Sequence, residues 1–187
     1  TGNVGIGKDV FAVLTSGDNN TGIGKNSLKT LTTGSGNISI GRDTLGLSGD
    51  NNSYNTVIGH SAGRYLDNAH YNVVIGSTAN ATANGGDYNV FVGYQSAYGV
   101  SGTADGNIGI GAYSLRNLTS GDYNIGIGAS AGKNISSGTR NFSIGTNAYD
   151  AATTEDDNIA IGYDALGGAV AGGQYNLAIG NYSLDAA

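Results

Sequence analysis

The chain contains no cysteine, proline, methionine or tryptophan. Without cysteine it holds no disulfide, although this leaves its compartment open. Glycine is abundant, 34 of 187 residues, but with no proline and no strict triplet the chain is not collagen. Charge is scarce. Only 12% of residues are charged and the formal net charge is −6, so a general nucleic-acid binder, which needs a basic footprint, is excluded. No run of about 18 apolar residues offers a membrane span, and no segment reads as a signal peptide. Regular isoleucine and valine argue against disorder. The length suits one domain, at most two. Beginning at Thr1 and ending in "YSLDAA", the chain reads as a piece of a longer protein.

What is present is a repeat. Asn-x-x-Ile-Gly recurs from Asn3, Asn20, Asn37, Asn55, Asn72, Asn89, Asn107, Asn124, Asn141, Asn158 and Asn176, at intervals of 17 or 18 residues. With Asn as position 1, position 2 is Val, Ile, Leu, Phe or Thr. Position 4 is Ile except at Val92, and position 5 is always Gly. Position 8 is small, position 9 is often Leu, and an apolar residue often stands near position 12. The remainder is Gly, Ser, Asp and Asn, the chemistry of turns.

Such a period predicts an all-β fold, a parallel β-solenoid or β-roll of eleven coils forming a single repeat domain over residues 1–187. Each coil is expected to hold two short strands and two turns. Coils stacked about 4.8 Å apart would make a rod on the order of 48 Å long. The Asn residues are expected to stack and satisfy their amides from coil to coil. The position-5 Gly fits a corner needing positive φ or a close backbone approach.

All 22 charged residues fall at positions 6, 7, 10 or 13–18. Side chains alternate along a strand, and positions 2 and 4 are read as the interior. Position 3 then points outward, yet reads Gly, Gly, Ser, Val, Val, Phe, Gly, Gly, Ser, Ala, Ala without one charge. A solvated face should carry polar residues. The expectation is a homo-oligomer packed through position 3. Asp at Ala160 would then break the assembly, and a polar residue at Ile161 would unfold the coil.

"NVGIG" (3–7), "NIAIG" (158–162) and "NLAIG" (176–180), with the following "xxAL" or "xxSL", resemble the head repeats of trimeric autotransporter adhesins. They are also similar to Asn-x-x-Ile-Gly arrays in phage tail fibres and related trimeric adhesive fibres. The resemblance covers all eleven repeats. It implies a left-handed β-roll, a homotrimer of tightly joined rolls, and an adhesive role on an extracellular, cell or virion surface. The autotransporter repeat is shorter. The longer turn here after position 12 favours a fibre relative.

Motifs that suggest chemistry dissolve into the repeat. Gly126-Ile127-Gly128 and its counterparts lack the third Gly, the helix and the acidic partner of a dinucleotide site. "GIGKNS" (22–27) lacks the spacing of a phosphate loop. His60 and His70 lie at turn positions, too few for a metal site. Asp150, Glu155, Asp156, Asp157 and Asp164 form an acidic corner without the periodicity of calcium-binding rolls. Asp9, Asp43 and Asp164 share a position but lie in distant repeats. No catalytic residue, metal ligand or cofactor is assigned.

Tyrosine is more informative, with 12 in all. Tyr54, Tyr71, Tyr88, Tyr123 and Tyr175 stand just before the Asn and form a structural column. Tyr65, Tyr149 and Tyr182 fall with those at mostly charged positions. Tyr94, Tyr98, Tyr113 and Tyr163 are the candidate contacts for a host-surface glycan or protein receptor. The expected function is a non-enzymatic structural or adhesive segment of a surface fibre, either rigid shaft or receptor-binding module. The alternatives are a polysaccharide-processing tailspike-like segment, which would need a cleft of carboxylates, and an ice-binding solenoid, which would need a regular Thr array.

Overall fold

The computed structural model describes residues 2–47, 49, 51–82, 86–168 and 173–185. It is a parallel β-solenoid. The strands are β1 (Val4–Ile6), β2 (Thr21–Ile23), β3 (Ile38–Ile40), β4 (Thr56–Ile58), β5 (Val73–Ile75), β6 (Val90–Val92), β7 (Ile108–Ile110), β8 (Ile125–Ile127), β9 (Phe142–Ile144), β10 (Ile159–Ile161) and β11 (Leu177–Ile179). They form one 11-stranded sheet in sequence order. Pairing is in phase with the repeat, position 2 on 2, 3 on 3 and 4 on 4, as in Ile108↔Ile125, Gly109↔Gly126 and Ile110↔Ile127.

Each coil has one strand among the described residues, not two. The rest of the coil bends too often for a second. Positions 0, 5, 7 and 9 have positive φ in every coil, where position 0 is the residue before the Asn. Coil 8, for instance, has Tyr123 at 57°, Gly128 at 134°, Ser130 at 57° and Gly132 at 59°. Only position 5 is always Gly. Its φ of 117–140° lies beyond the left-handed helical well that other residues can visit. A Cβ on Gly128 would also stand 2.6 Å from the carbonyl oxygen of Gly145. Both reasons anticipated for this glycine therefore hold.

The two faces of the strand are the reverse of the sequence expectation. Position 3 points into the coil: Val57, Val74, Phe91, Ala160 and Ser39 are fully buried. No residue at position 2 or 4 is buried, in any strand. Gly126 does not leave room for another chain. A Cβ there would meet the Ala131 carbonyl at 2.8 Å and Leu115 Cγ at 3.0 Å. The physical reason is the narrowness of the coil. One inward side chain per strand shares the lumen with positions 8, 9 and 12, and two Ile per coil would overfill it.

Volumes at positions 3 and 9 compensate. Gly5 goes with Phe11, Gly22 with Leu28, Ser39 with Leu45, Gly109 with Leu115, Ser143 with Tyr149, Ala160 with Leu166 and Ala178 with Leu184. Where position 3 is large, position 9 shrinks: Val57 with Gly63, Val74 with Asn80, Phe91 with Ala97. Gly126 with Gly132 is the exception. Neighbours fill that space, since a Cβ on Gly132 would lie 2.9 Å from both Ile135 Cδ1 and Leu115 Cδ2.

The Asn column closes the interior at one corner, as expected. At each of its ten steps the backbone N–H of one Asn donates to Oδ1 of the Asn in the preceding coil, at 2.8–3.1 Å. The side-chain Nδ2 donates to the carbonyl of a turn residue, as from Asn124 to Gly138 at 2.8 Å. A second column, two residues before the Asn, escaped the sequence reading. There a side-chain oxygen accepts the backbone N–H of the preceding coil: Ser35 from Asp18, Ser53 from Ser35, Asp87 from His70, Asp105 from Asp87, Asp122 from Asp105 and Asp156 from Thr139, at 2.7–3.1 Å. Its signal was the recurrence of Asp, Ser and Thr at that offset.

Two stability predictions follow from these packings. Phe91→Ala should cost about 3–5 kcal/mol in chemical denaturation by leaving a cavity, and adding Ala97→Leu should recover at least half. No recovery in the double variant would refute volume exchange between positions 3 and 9. Asn124→Ala leaves the Asn141 N–H and the Gly138 carbonyl without their partner, and should cost about 2–3 kcal/mol in the same assay.

Candidate functional site

Two outer surfaces remain once the interior is assigned. The first is the outward face of the sheet. Positions 2 and 4 present Ile, Val, Leu, Phe and two Thr along all eleven strands. Even mid-rod they stay open in the single chain, with Ile127 36% and Ile110 40% exposed. Beside them stands the position-0 column. Tyr54, Tyr71 and Tyr88 stack with ring centroids 5.2 and 5.1 Å apart and planes within 4° and 6°. Only these three of the five tyrosines expected in the column stack: Tyr123 stands between Gly106 and Arg140, and Tyr175 follows Asp157. All five stay more than half exposed.

The second surface is the corner built from positions 6, 7 and 10. Three of the four candidate tyrosines meet here. Tyr94 (position 6) and Tyr113 (position 7 of the next coil) form an edge-to-face pair with centroids 5.4 Å apart and planes at 82°. Tyr98 and Arg116 share position 10 in adjacent coils. The Arg116 guanidinium carbon lies 5.9 Å from the Tyr98 ring centroid and 5.7 Å from that of Tyr113. Arg116 Nε donates to Gln95 Oε1 at 3.1 Å. Tyr163 sits apart, four coils along, edge-to-face with Tyr182 at 5.3 Å. Asp164 beside it raises its hydroxyl pKa.

Further toward the start, the same corner is basic. Lys8, Lys25, Arg42 and His60 occupy position 6 of the first four coils. Arg42 Nη2 lies 2.7 Å from His60 Nε2, within hydrogen-bond distance. Asp43 accepts from Asn26 at 2.7 Å, and that bond chiefly holds its carboxyl below the usual range. Tyr65 is exposed beside Arg64, whose guanidinium carbon lies 5.3 Å from its ring centroid.

Other residues singled out from sequence are occupied within the coil. Tyr149 is 1% exposed and accepts a hydrogen bond from Asn158 at 2.6 Å, so it is core, not corner. Burial, then Glu155, pushes its hydroxyl pKa well above the ordinary value. Glu155 turns inward and accepts from the Thr153 and Thr154 amides at 2.8 and 2.9 Å. Asp157 takes both Arg140 Nε and Nη2, at 2.6 and 2.8 Å. His70 donates its backbone N–H to Asp87 and lies near Tyr71. Among the described residues no three His, Cys, Asp or Glu converge as a metal site, and no helix is long and apolar enough to cross a membrane.

Comparison with protein families, curated proteins and solved structures finds no match.

Asp150 provides a pH prediction. Burial, and then the charge of Asp164, raise its pKa above the ordinary 3.8. Its ionisation therefore opposes folding above the raised folded-state value, and the penalty vanishes below the unfolded one. Asp150→Asn should raise the melting temperature at pH 7, with the gain fading as pH falls through 3.8. A gain that persists at pH 2.5 would contradict this origin.

Proposed function

We propose that this chain is a rigid, self-associating, non-enzymatic segment of a surface fibre, in which three copies join through the Ile/Val face of the sheet. The observation that carries the reading is the face at positions 2 and 4, apolar except for Thr21 and Thr56 and without a charge along eleven strands. Eleven strands about 4.8 Å apart and about 10 Å long give a face of roughly 500 Å². That is as large as the largest apolar patch on most monomers. A face of this extent, kept uncharged at every coil while all charge is confined to the turns, suits burial against identical rods.

The proposed interface is the reverse of the one expected from sequence. Position 3 fills the coil, and positions 2 and 4 meet the partner. Three-fold association and an extracellular or virion-surface location draw their support from the resemblance to trimeric adhesins and tail fibres. The regular stacking suits a shaft, and the aromatic corner suits a receptor-binding module. Glycan cleavage has less support, since Glu155, Asp156 and Asp157 are each engaged by a backbone amide or by Arg140.

Light scattering on the purified chain should give three times the mass of one chain. Ile127→Asp should reduce this to a single chain while the coil remains folded. Ala160→Asp, which places a charge in a fully buried position, should lower stability by roughly 4 kcal/mol or more. A wild-type monomer, or an Ile127→Asp variant still fully assembled, would refute the interface.

A further inference from the structure

We propose that the corner formed by Tyr94, Tyr98, Tyr113 and Arg116 is a docking site for a carboxylate-bearing sugar, such as a uronic acid unit of an acidic polysaccharide. This deepens the receptor-binding reading above by naming the class of receptor.

The geometry of the aromatic pair carries the first half. Tyr94 and Tyr113 are 47% and 37% exposed, and their planes meet at 82°. Two rings at right angles form a step, with one face open beside the other's edge. The step fits the apolar C–H face of a pyranose, whose hydroxyls then point toward the phenol oxygens. The position-0 column presents no such step, because Tyr54, Tyr71 and Tyr88 stack nearly parallel, with planes within 4° and 6°.

Arg116 carries the second half. Its guanidinium carbon lies over the rings of Tyr98 and Tyr113, within cation–π range of both. Gln95 takes its Nε–H, which fixes the plane of the fork. The two Nη groups at the open end retain donors, and no ion pair ties Arg116 to an acid among the described residues. The adjacent position-10 residue, Lys133, is also basic. A planar carboxylate is the partner that two parallel Nη–H donors match best.

The other edge-to-face pair acts as an internal contrast. Tyr163 and Tyr182 have nearly the same ring geometry, but Tyr163 carries the field of Asp164. An acidic sugar would be repelled there. Of the four tyrosines picked out from sequence, the site therefore takes Tyr94, Tyr98 and Tyr113 and leaves out Tyr163.

The test is calorimetric titration of the assembled protein with oligogalacturonate and, separately, with neutral galacto-oligosaccharide of equal length. Oligogalacturonate is expected to bind at least tenfold more tightly. Arg116→Gln should abolish that preference, and Tyr113→Ala should weaken binding at least fivefold. Tyr163→Ala should change nothing. Circular dichroism and light scattering on each variant would exclude misfolding or disassembly as the cause. Equal binding of the two sugars, no binding of either, or full binding by Arg116→Gln would overturn the proposal. All four residues belong to one chain, so a monomeric protein would refute the proposed interface and still allow this measurement.

Discussion

Everything in the fold hangs on the side-chain amide of one asparagine per coil. Its Oδ1 accepts the backbone N–H of the next Asn, and in most coils the Nδ2 of that residue too, as at Asn37 to Asn20 with both at 2.9 Å. Its Nδ2 also reaches a turn carbonyl, as at Asn37 to Asn52. Aspartate could not replace it, because a stacked carboxylate has no donor for the preceding rung or the turn carbonyl and repels its neighbours. A longer Gln would displace the turn it bonds. The column fixes register for the same reason. Slipping a strand by one residue would break it and turn the Ile/Val face into a lumen too narrow to hold it.

The column works only because the rest of the coil bends sharply enough to bring each Asn above the last. Left-handed backbone at positions 0, 5, 7 and 9 supplies the bends. Each such residue outside glycine costs about 1–2 kcal/mol. The offset is visible in the hydrogen bonds. The N–H of position 5 reaches the neighbouring coil, as Gly128 to Ile110 at 2.8 Å, and so does that of position 7, as Ser130 to Ala112 at 2.9 Å. Position 0 does the same, with Tyr123 donating to Asp105 at 2.9 Å, as does position 9, with Gly132 donating to Ala148 at 2.9 Å. The bends thus keep the backbone donors along the axis, where in most coils a partner waits. Tyr and Leu are tolerated at these positions because the axial bond, not local propensity, holds the conformation.

The period, the Asn column and the position-5 glycine were legible in the sequence because each repeats without exception. The facing of the strand was not. Alternation says that positions 2 and 4 oppose position 3, but not which side is inside. Apolarity favoured Ile and Val for the interior, and that inference fails when the outer face is itself apolar. The discriminating signal was present in pairs such as Phe91 with Ala97 and Gly109 with Leu115, six residues apart. Residues that trade volume must share a space. The aromatic corner was legible only as a set of exposed candidates. Grouping Tyr94, Tyr98 and Tyr113 with Arg116, and separating Tyr163, requires knowing that position 6 of one coil meets position 7 of the next and that position 10 meets position 10. Tyr149 was misplaced because its column, position 9, faces inward whatever residue occupies it.

In a repeat this strict, what all coils share builds the rod, so local recognition must come from where a coil departs from the rest. Coils 6 and 7 depart most at their corner. Coil 6 has the lone Phe at position 3 and the lone Ala at position 9. With the core volume supplied from the strand, the turn between Tyr94 and Tyr98 needs no large inward side chain. Coil 7 returns to Gly109 with Leu115, so the exchange is complete within one rung. The interior absorbs the change without altering the Asn column, and the outer corner is free to carry four bulky side chains on an unchanged frame. On the proposed reading, specificity is then a property of one or two adjacent coils, while length and stiffness belong to the array.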